Sequence, residues 1–477
     1  MTKANSKREP EHTLAGGTAL PPLTTGIKWA YALGQFGWSI LSGLIQVWLV
    51  WFYNPPSNID IPQAIPRGAV LGFLTVIGLI TMSGRFFDAI TDPWLANMSD
   101  GSRNPKGRRI PFMAKAALPF ALMTILVYWS PSATNQVANI VWLTVTLLAH
   151  YFFFTMYVAP YFALISELGR TSKDRIDLST YTALTWFLGY IVASAAAYIW
   201  PIFEGMGLPL VTAIRLTVAL LVLLGLAFLL VPVVAIRERK WVAPAPATEP
   251  VHFLKAIGNV FQNRNFLLFE VFFLAYGIAI TIFQTGNVYY ATVLLGMDET
   301  AVTLITAATG ILAFLLYPLV NRLSKRLGKK RLCVFAMVLL IVAYVYCAFL
   351  GVMPLPASVQ VVVFVLLAGV GFAIFGILPN AICADTARND AQRTGKSREG
   401  LFFAVQTFMS KMGQMLAMVL FSSILLLGKE PGHDLGIRMT GVAAAVIGAV
   451  ALGIFARYRE EPDMVEETVD ALETVAE

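Results

Sequence analysis

Apolar residues along this chain come in long unbroken runs, not in alternation. Twelve runs are read at 25–53, 68–98, 111–130, 136–167, 180–202, 208–235, 264–294, 300–322, 331–352, 358–386, 399–427 and 436–457. About 20 apolar residues cross the hydrocarbon core of a bilayer. These runs are too long and too many for the core helices of a water-soluble protein. Strands of a membrane barrel would alternate apolar and polar residues instead. In lipid every backbone group must bond internally, which leaves helices. Several runs exceed 20 residues and are expected to tilt or to protrude. The expected fold is all-α and polytopic, with twelve transmembrane helices in two six-helix bundles.

Composition agrees with a lipid environment. Of 477 residues, 57% are hydrophobic and 13% are charged, about half the usual charged share of a soluble domain. The mean hydropathy is +0.69. The three cysteines, Cys333, Cys347 and Cys383, fall inside apolar runs and read as small buried hydrophobes. The first 24 residues are polar, and the apolar stretch after them is of full spanning length, so the first span and not a cleavable leader is expected to insert the protein.

Charge sets the expected sidedness. Arg103, Lys106, Arg108 and Arg109 follow run two, Arg170, Lys173 and Arg175 follow run four, and Arg237, Arg239 and Lys240 follow run six. Six more Lys or Arg follow run eight, from Arg322 to Arg331, and four follow run ten, from Arg388 to Arg398. The alternate loops hold only Arg67, Arg215, Lys429 and Arg438. Positive loops stay on the cytoplasmic side, which puts both termini there. The net charge of +7 is then this asymmetry, and no nucleic-acid partner is expected. Gly395-Lys396-Ser397 resembles the end of a phosphate-binding loop, but Asp390 stands where that loop needs glycine and no strand precedes it.

The chain also repeats itself. GRRI at 107–110 after run two is matched by GKKRL at 328–332 after run eight. Run four holds Pro160 with Glu167 near its end, and run ten holds Pro379 with Asp385 at a similar offset. A duplicated six-helix unit is the arrangement expected of transporters that alternate access around a central site. The expected organisation is a tail at 1–24, a first bundle at 25–236, a cytoplasmic linker at 237–262, a second bundle at 263–457 and an acidic tail at 458–477. The linker opens with a Pro- and Ala-rich stretch and continues with Phe253, Leu254, Ile257, Val260 and Phe261 on one helical face, as in a helix lying on the membrane surface.

Ionisable residues at membrane depth are costly and mark function. Run two carries Arg85, Asp88 and Asp92, spaced three and four apart and so on one helical face. Two carboxylates one turn apart repel in a dry site. Arg85 balances one of them, and a second cation is wanted. Na⁺ or a proton would serve. Lys411 lies deep in run eleven and needs a carboxylate partner, either Asp88 or Asp92 across the halves or, locally, Asp385. In run four, Thr155 reads as bonded to its own helix on residue type alone, and His150 reads as an interfacial or packing residue. Glu270, early in run seven, reads as interfacial. Arg108, Arg109, Glu167 and Asp385 are the candidate cytoplasmic gate.

The stretch GRFFDAITDPWLANMSDGSRNPKGRRIPF at 84–112 resembles the second span and loop of the glycoside–pentoside–hexuronide cation symporters of the major facilitator superfamily, the group that contains melibiose permease. APYFALISEL at 159–168, ADT at 384–386, and RE, VQT and Lys between 398 and 411 extend the likeness in order along nearly the whole chain. The resemblance implies that Asp88 and Asp92 bind Na⁺, Li⁺ or H⁺, that Thr155 contributes to the site, and that Lys411 is its charge partner. The sugar side departs from the pattern. Ser39 and Val158 stand where the family member has aspartates, Thr182 where it has arginine, and Gly376 where it has tryptophan. These four, with Phe162, Gln406 and Thr407, are the candidate substrate cavity.

The expected function is cation-coupled symport of a sugar or sugar-like solute, a glycoside, pentoside or hexuronide, across a bacterial inner membrane. The alternative is transport of a lysolipid or other amphiphile. No cofactor is expected beyond the coupling ion, Na⁺ or H⁺, and no structural metal. Membrane lipid is the expected surround and a monomer the expected state. No metal cluster, nucleophile constellation or soluble catalytic domain suggests an enzyme.

Overall fold

A computed structural model describes residues 21–102, 104–169, 171–242, 263–394 and 399–460. The surface helix expected at 253–261, the Gly395-Lys396-Ser397 loop, most of the N-terminal tail and nearly all of the acidic tail lie outside the described residues. The helices of the first half are α1 (Thr25–Tyr53), α2 (Val76–Asp100), α3 (Ile110–Val127), α4 (Gln136–Leu168), α5 (Ser172–Ser194) and α6 (Leu210–Ala235). Those of the second half are α7 (Arg264–Tyr289), α8 (Ala301–Leu327), α9 (Lys329–Cys347), α10, α11 (Glu399–Ile424) and α12 (Leu435–Phe455). Helix α10 runs as Ala357–Phe375, breaks, and resumes as Leu378–Thr394. Among the described residues eleven helices are long and apolar enough to cross a membrane. The remaining long helix is α2, whose Arg85, Asp88 and Asp92 lower its apolarity. The chain is an all-α polytopic membrane protein.

Run two begins later than its hydropathy suggests. Residues 69–75 form a small hairpin, β1 (Ala69–Leu71) against β2 (Leu74–Thr75). Gly72 at φ +73° makes its turn, a conformation glycine adopts without strain. The Thr75 side chain then accepts from the Gly78 N–H and starts α2. Helix α7 likewise ends in a wider turn, Tyr290–Leu294.

Helix α1 packs on α5 and α6, α3 on α4 and α6, and α2 on α4. In the second half α7 packs on α11 and α12, α8 on α10, and α9 on α10 and α12. Small residues let backbones touch where lipid offers no hydrophobic drive. A Cβ on Gly37 would lie 2.6 Å from the Gly225 carbonyl oxygen, and one on Gly413 would lie 2.7 Å from that of Leu274. The outward faces are apolar, with Val145, Val234 and Leu315 exposed, as suits lipid contact. Cys333, Cys347 and Cys383 are all buried free thiols.

The two halves meet through α2 and α11, α1 and α7, and α5 and α8. At the end away from the basic loops they are joined tightly. The Tyr289 hydroxyl donates to the Asn54 carbonyl at 2.9 Å, and that of Thr303 to the Ser194 carbonyl at 3.0 Å. The Lys429 ammonium donates to the Pro55 carbonyl, and the Ser57 N–H to the Glu430 carboxylate.

Two glycines at the basic end show the internal repeat in geometry. Gly107 (φ +121°) precedes α3 and Gly328 (φ +85°) precedes α9. Glu238, just past α6, accepts the backbone N–H groups of Arg108, Arg109 and Ile110 at 2.7, 2.9 and 3.0 Å. Glu460, just past α12, accepts those of Lys329 and Lys330 at 2.6 and 3.1 Å. Each half thus caps its third helix with a carboxylate that follows its sixth. Helix N-termini carry unpaired N–H donors and a partial positive charge, so a carboxylate suits them.

Candidate cation and solute site

Helix α2 presents its charged face to α4 and α11. Asp88 is fully buried, and its Oδ1 accepts the Thr155 hydroxyl at 2.5 Å. The threonine therefore bonds the carboxylate and not its own helix. Lys411 reaches across from α11. Its Nζ donates to Asp92 Oδ2 at 2.5 Å and lies 2.8 Å from Asp88 Oδ2. One ammonium bridges both carboxylates and ties α2 to α11. The local alternative does not form, because Asp385 pairs with Lys329.

Arg85 stands further off, with Nη1 3.9 Å from Asp88 Oδ2. Its guanidinium lies over the Tyr151 ring, 4.8 Å from the centroid, a cation–π contact that keeps the buried charge partly solvated. Two cations and two carboxylates balance locally. The oxygens of Asp88, Asp92 and Thr155 are hard donors, and the Lys411 ammonium sits among them. Among the described residues no group of three or more His, Cys, Asp or Glu is placed to hold a metal.

Between α1, α4 and α5 on one side and α7, α8 and α10 on the other lies a cavity of about 570 Å³. Phe162, Thr182 and Gly376 line it. The other residues named from sequence lie elsewhere. Ser39 is buried and donates to the Trp186 carbonyl at 2.5 Å. Val158 and Gln406 are buried, Thr407 donates to its own helix at Phe403, and none of the four is a lining residue. The lining is rich in aromatic rings, including Trp38, Trp186, Tyr190, Tyr276 and Phe283. Sequence reading did not single these out, because rings are spread through every span and periodicity does not separate cavity rings from belt rings.

Glu270, His150 and the charged groups of the basic end lie outside the cavity lining. Glu270 is fully buried, with neither carboxylate oxygen hydrogen-bonded. His150 is a packing residue, 3.0 Å from the Thr124 hydroxyl and against Phe120. At the basic end Arg108 and Arg109 both bind Glu167, at 2.8 and 2.9 Å. Lys28 on α1, which drew no attention in the sequence, binds Asp174 and Asp177 at 2.7 and 2.6 Å.

The family model described as MFS/sugar transport protein matches residues 30–428. The uncharacterized symporter YnaJ of Bacillus subtilis (strain 168) is 24% identical over 397 residues, covering 82% of this chain and 80% of that one. The isoprimeverose transporter of Lactiplantibacillus pentosus is 22% identical over 170 residues, covering 36% and 33%. Among solved structures, that of the nucleoside transporter NupG superposes with a TM-score of 0.63 at 15% identity, covering 91% of this chain and 100% of that one. That likeness concerns the fold alone. The family match begins inside α1 and ends just past α11, so it takes in both walls of the cavity and the paired carboxylates. The chain therefore belongs to the MFS/sugar transport protein family, secondary transporters of the major facilitator type and not enzymes.

Proposed function

We propose that this protein is a symporter that couples Na⁺ or H⁺ to the movement of a sugar-like solute, in the cytoplasmic membrane of a bacterium and with both termini in the cytoplasm. The single observation that carries the reading is the Lys411 ammonium held between Asp88 and Asp92. A coupling cation would take the same oxygens, with Thr155 as a further donor. Lys411 and the cation then exclude each other. Since Lys411 belongs to α11 and the carboxylates to α2, cation entry releases the tie between the halves. An ion can drive a conformational change only by binding two states unequally, and this exchange supplies the inequality.

The bundles at 25–236 and 263–457 are the moving bodies, with 237–262 as their linker, and the working unit is the monomer. The seal from Asn54–Ser57 to Lys429–Glu430 is consistent with a state closed on the outer side. The Arg108, Arg109 and Glu167 cluster and the Lys329–Asp385 pair each lie within one half here. They form the cytoplasmic gate by exchanging partners across the halves when that side closes. The relatives named as symporter and as isoprimeverose transporter support a sugar-like solute. The aromatic cavity favours a second reading, an amphiphile of the lysolipid kind.

The test uses membrane vesicles with an imposed Na⁺ or pH gradient and a bound solute found by screening. Asp88→Asn with Asp92→Asn is expected to abolish uphill accumulation while downhill exchange of the same solute persists. Full gradient-driven accumulation in the double variant would overturn the assignment. Accumulation of a lysolipid and not of a glycoside would favour the second reading.

A further inference from the structure

The internal repeat lets one half serve as a comparison for the other. At the basic end of the first half, cations at the helix starts are matched by acids. Arg108 and Arg109 bind Glu167, and Lys28 binds Asp174 and Asp177. In the second half Lys329 binds Asp385, but Lys330 finds only backbone. Its Nζ donates to the Ala456 and Tyr458 carbonyls at 2.9 and 2.6 Å. Arg264 opens α7, and Arg457 and Arg459 lie just past α12. All three arginines are exposed, and among the described residues none of them forms an ion pair. With Lys330 they line a cavity of about 770 Å³ where the ends of α7, α9 and α12 meet. Glu460, next in sequence to Arg459, is spent on the Lys329 and Lys330 N–H groups. The Asn265 amide and the Arg459 backbone hold each other at 2.7 and 2.9 Å, which fixes the α7 and α12 walls. Four like charges around one space repel unless an anion lies among them.

Toward the bilayer the same place turns apolar. Leu268 is a lining residue. Val446, Val450 and Gly453, spaced four and three apart, share one face of α12, and Arg457 follows four residues on. Both valines are more than half exposed, and a Cβ on Gly453 would meet nothing within 4 Å. We propose that this cavity binds the phosphate headgroup of an anionic phospholipid of the surrounding bilayer, with an acyl chain lying along Val446, Val450 and Gly453. Guanidinium forks match phosphate oxygens two at a time, and basic pockets between spanning helices suit anionic headgroups. A zwitterionic lipid carries its own ammonium and gains less from four cations. The bound phosphate joins three helix ends of the second half, a task that Glu167, Asp174 and Asp177 perform for the first. The proposal does not depend on which solute or ion is carried.

The experiment is native mass spectrometry of the purified full-length protein equilibrated with palmitoyl-oleoyl phosphatidylglycerol or the matching phosphatidylcholine. Phosphatidylglycerol is expected to bind about tenfold or more tightly than phosphatidylcholine. Arg457→Gln with Arg459→Gln is expected to erase about tenfold of that preference, with an unchanged melting midpoint in phosphatidylcholine nanodiscs as the check on folding. Arg264→Gln, on a different helix, carries the same test at about fivefold. Arg322→Gln with Arg326→Gln removes equal charge from the basic end outside the cavity and is expected to change nothing. Equal binding of the two lipids, a preference kept in the cavity variants, or an equal loss in the Arg322 and Arg326 pair would overturn the proposal. So would inorganic phosphate binding that depends on Arg457 and Arg459 while phosphatidylglycerol binding does not, which would make the cavity a site for a soluble anion. Neutralising the acidic tail by Glu466→Gln, Glu467→Gln and Asp470→Asn is expected to leave lipid binding as it is. A gain of about tenfold there would give the cavity to the tail and overturn the lipid assignment.

Discussion

Thr155 shows how one hydroxyl can change its meaning once its partner is known. In a span it reads as a residue that bonds its own backbone, as Thr146 does here with the Trp142 carbonyl. Thr155 instead donates to a fully buried carboxylate at 2.5 Å, and a hydrogen bond to a charged group is worth about 1.5–3 kcal/mol. Thr155→Ala is therefore expected to raise the cation concentration needed for half-maximal exchange by about ten- to a hundredfold, with Thr155→Ser restoring it. Titration of solute exchange against Na⁺ and against pH measures the shift. An unchanged half-saturation in the alanine variant would remove Thr155 from the site. Asp88, Asp92 and Lys411 were legible because charge within an apolar run is conspicuous. Glu270 was visible for the same reason, yet its burial was not, since depth along a span does not reveal which face of the helix is covered. Trp38 and Tyr190 were hidden among 58 aromatic residues.

At the scale of elements, hydropathy located twelve helices because each lies on a long, mainly apolar run, α2 in spite of its three charges. It misplaced the start of α2, where the short β hairpin is as apolar as the helix after it and only the Thr75 cap separates the two. The matching GRRI and GKKRL segments pointed to duplication, but not to what holds them. Glu238 and Glu460 look like solvated loop charges in sequence. In the fold each closes a helix N-terminus over a glycine whose positive φ strains any other residue. A Cβ on Gly107 would lie 2.2 Å from Glu238 Oε2, and one on Gly328 would lie 2.8 Å from Glu460 Oε2. Glu238→Ala strips three N–H groups of their acceptor and is expected to destabilise the protein by about 1–3 kcal/mol. Thermal melting in detergent would register this as a lowered midpoint. Glu460→Ala should have a smaller effect, since Glu460 is more exposed. An unshifted midpoint for Glu238→Ala would show that water replaces the carboxylate without loss.

For the whole molecule, the seal opposite the basic loops is the feature most open to experiment. Burial alone would raise the Glu430 carboxyl, but the Ser57 backbone N–H and hydroxyl and the Lys429 ammonium together hold it below the usual carboxylate range. A depressed carboxyl contributes stability above its unfolded value and loses it as pH falls through the folded one. Acid at this face should thus loosen the seal, while neutral and alkaline pH leave it intact. Cysteines placed by Ser57→Cys and Glu430→Cys should form a disulfide under mild oxidation and stop transport, and reduction should restore it. Crosslinking that leaves transport at full rate would mean that this end need not open. The paired caps carry a different consequence, for anyone who wishes to divide the protein. Because Glu238 follows the last helix of the first half yet completes the third, a cut at the end of α6 would strip the N-terminal fragment of its own lock. A break placed beyond Val242 would leave each fragment holding its carboxylate. Two separately made pieces that reassemble in the membrane should be divided there, and the same rule requires the second piece to keep its chain through Glu460.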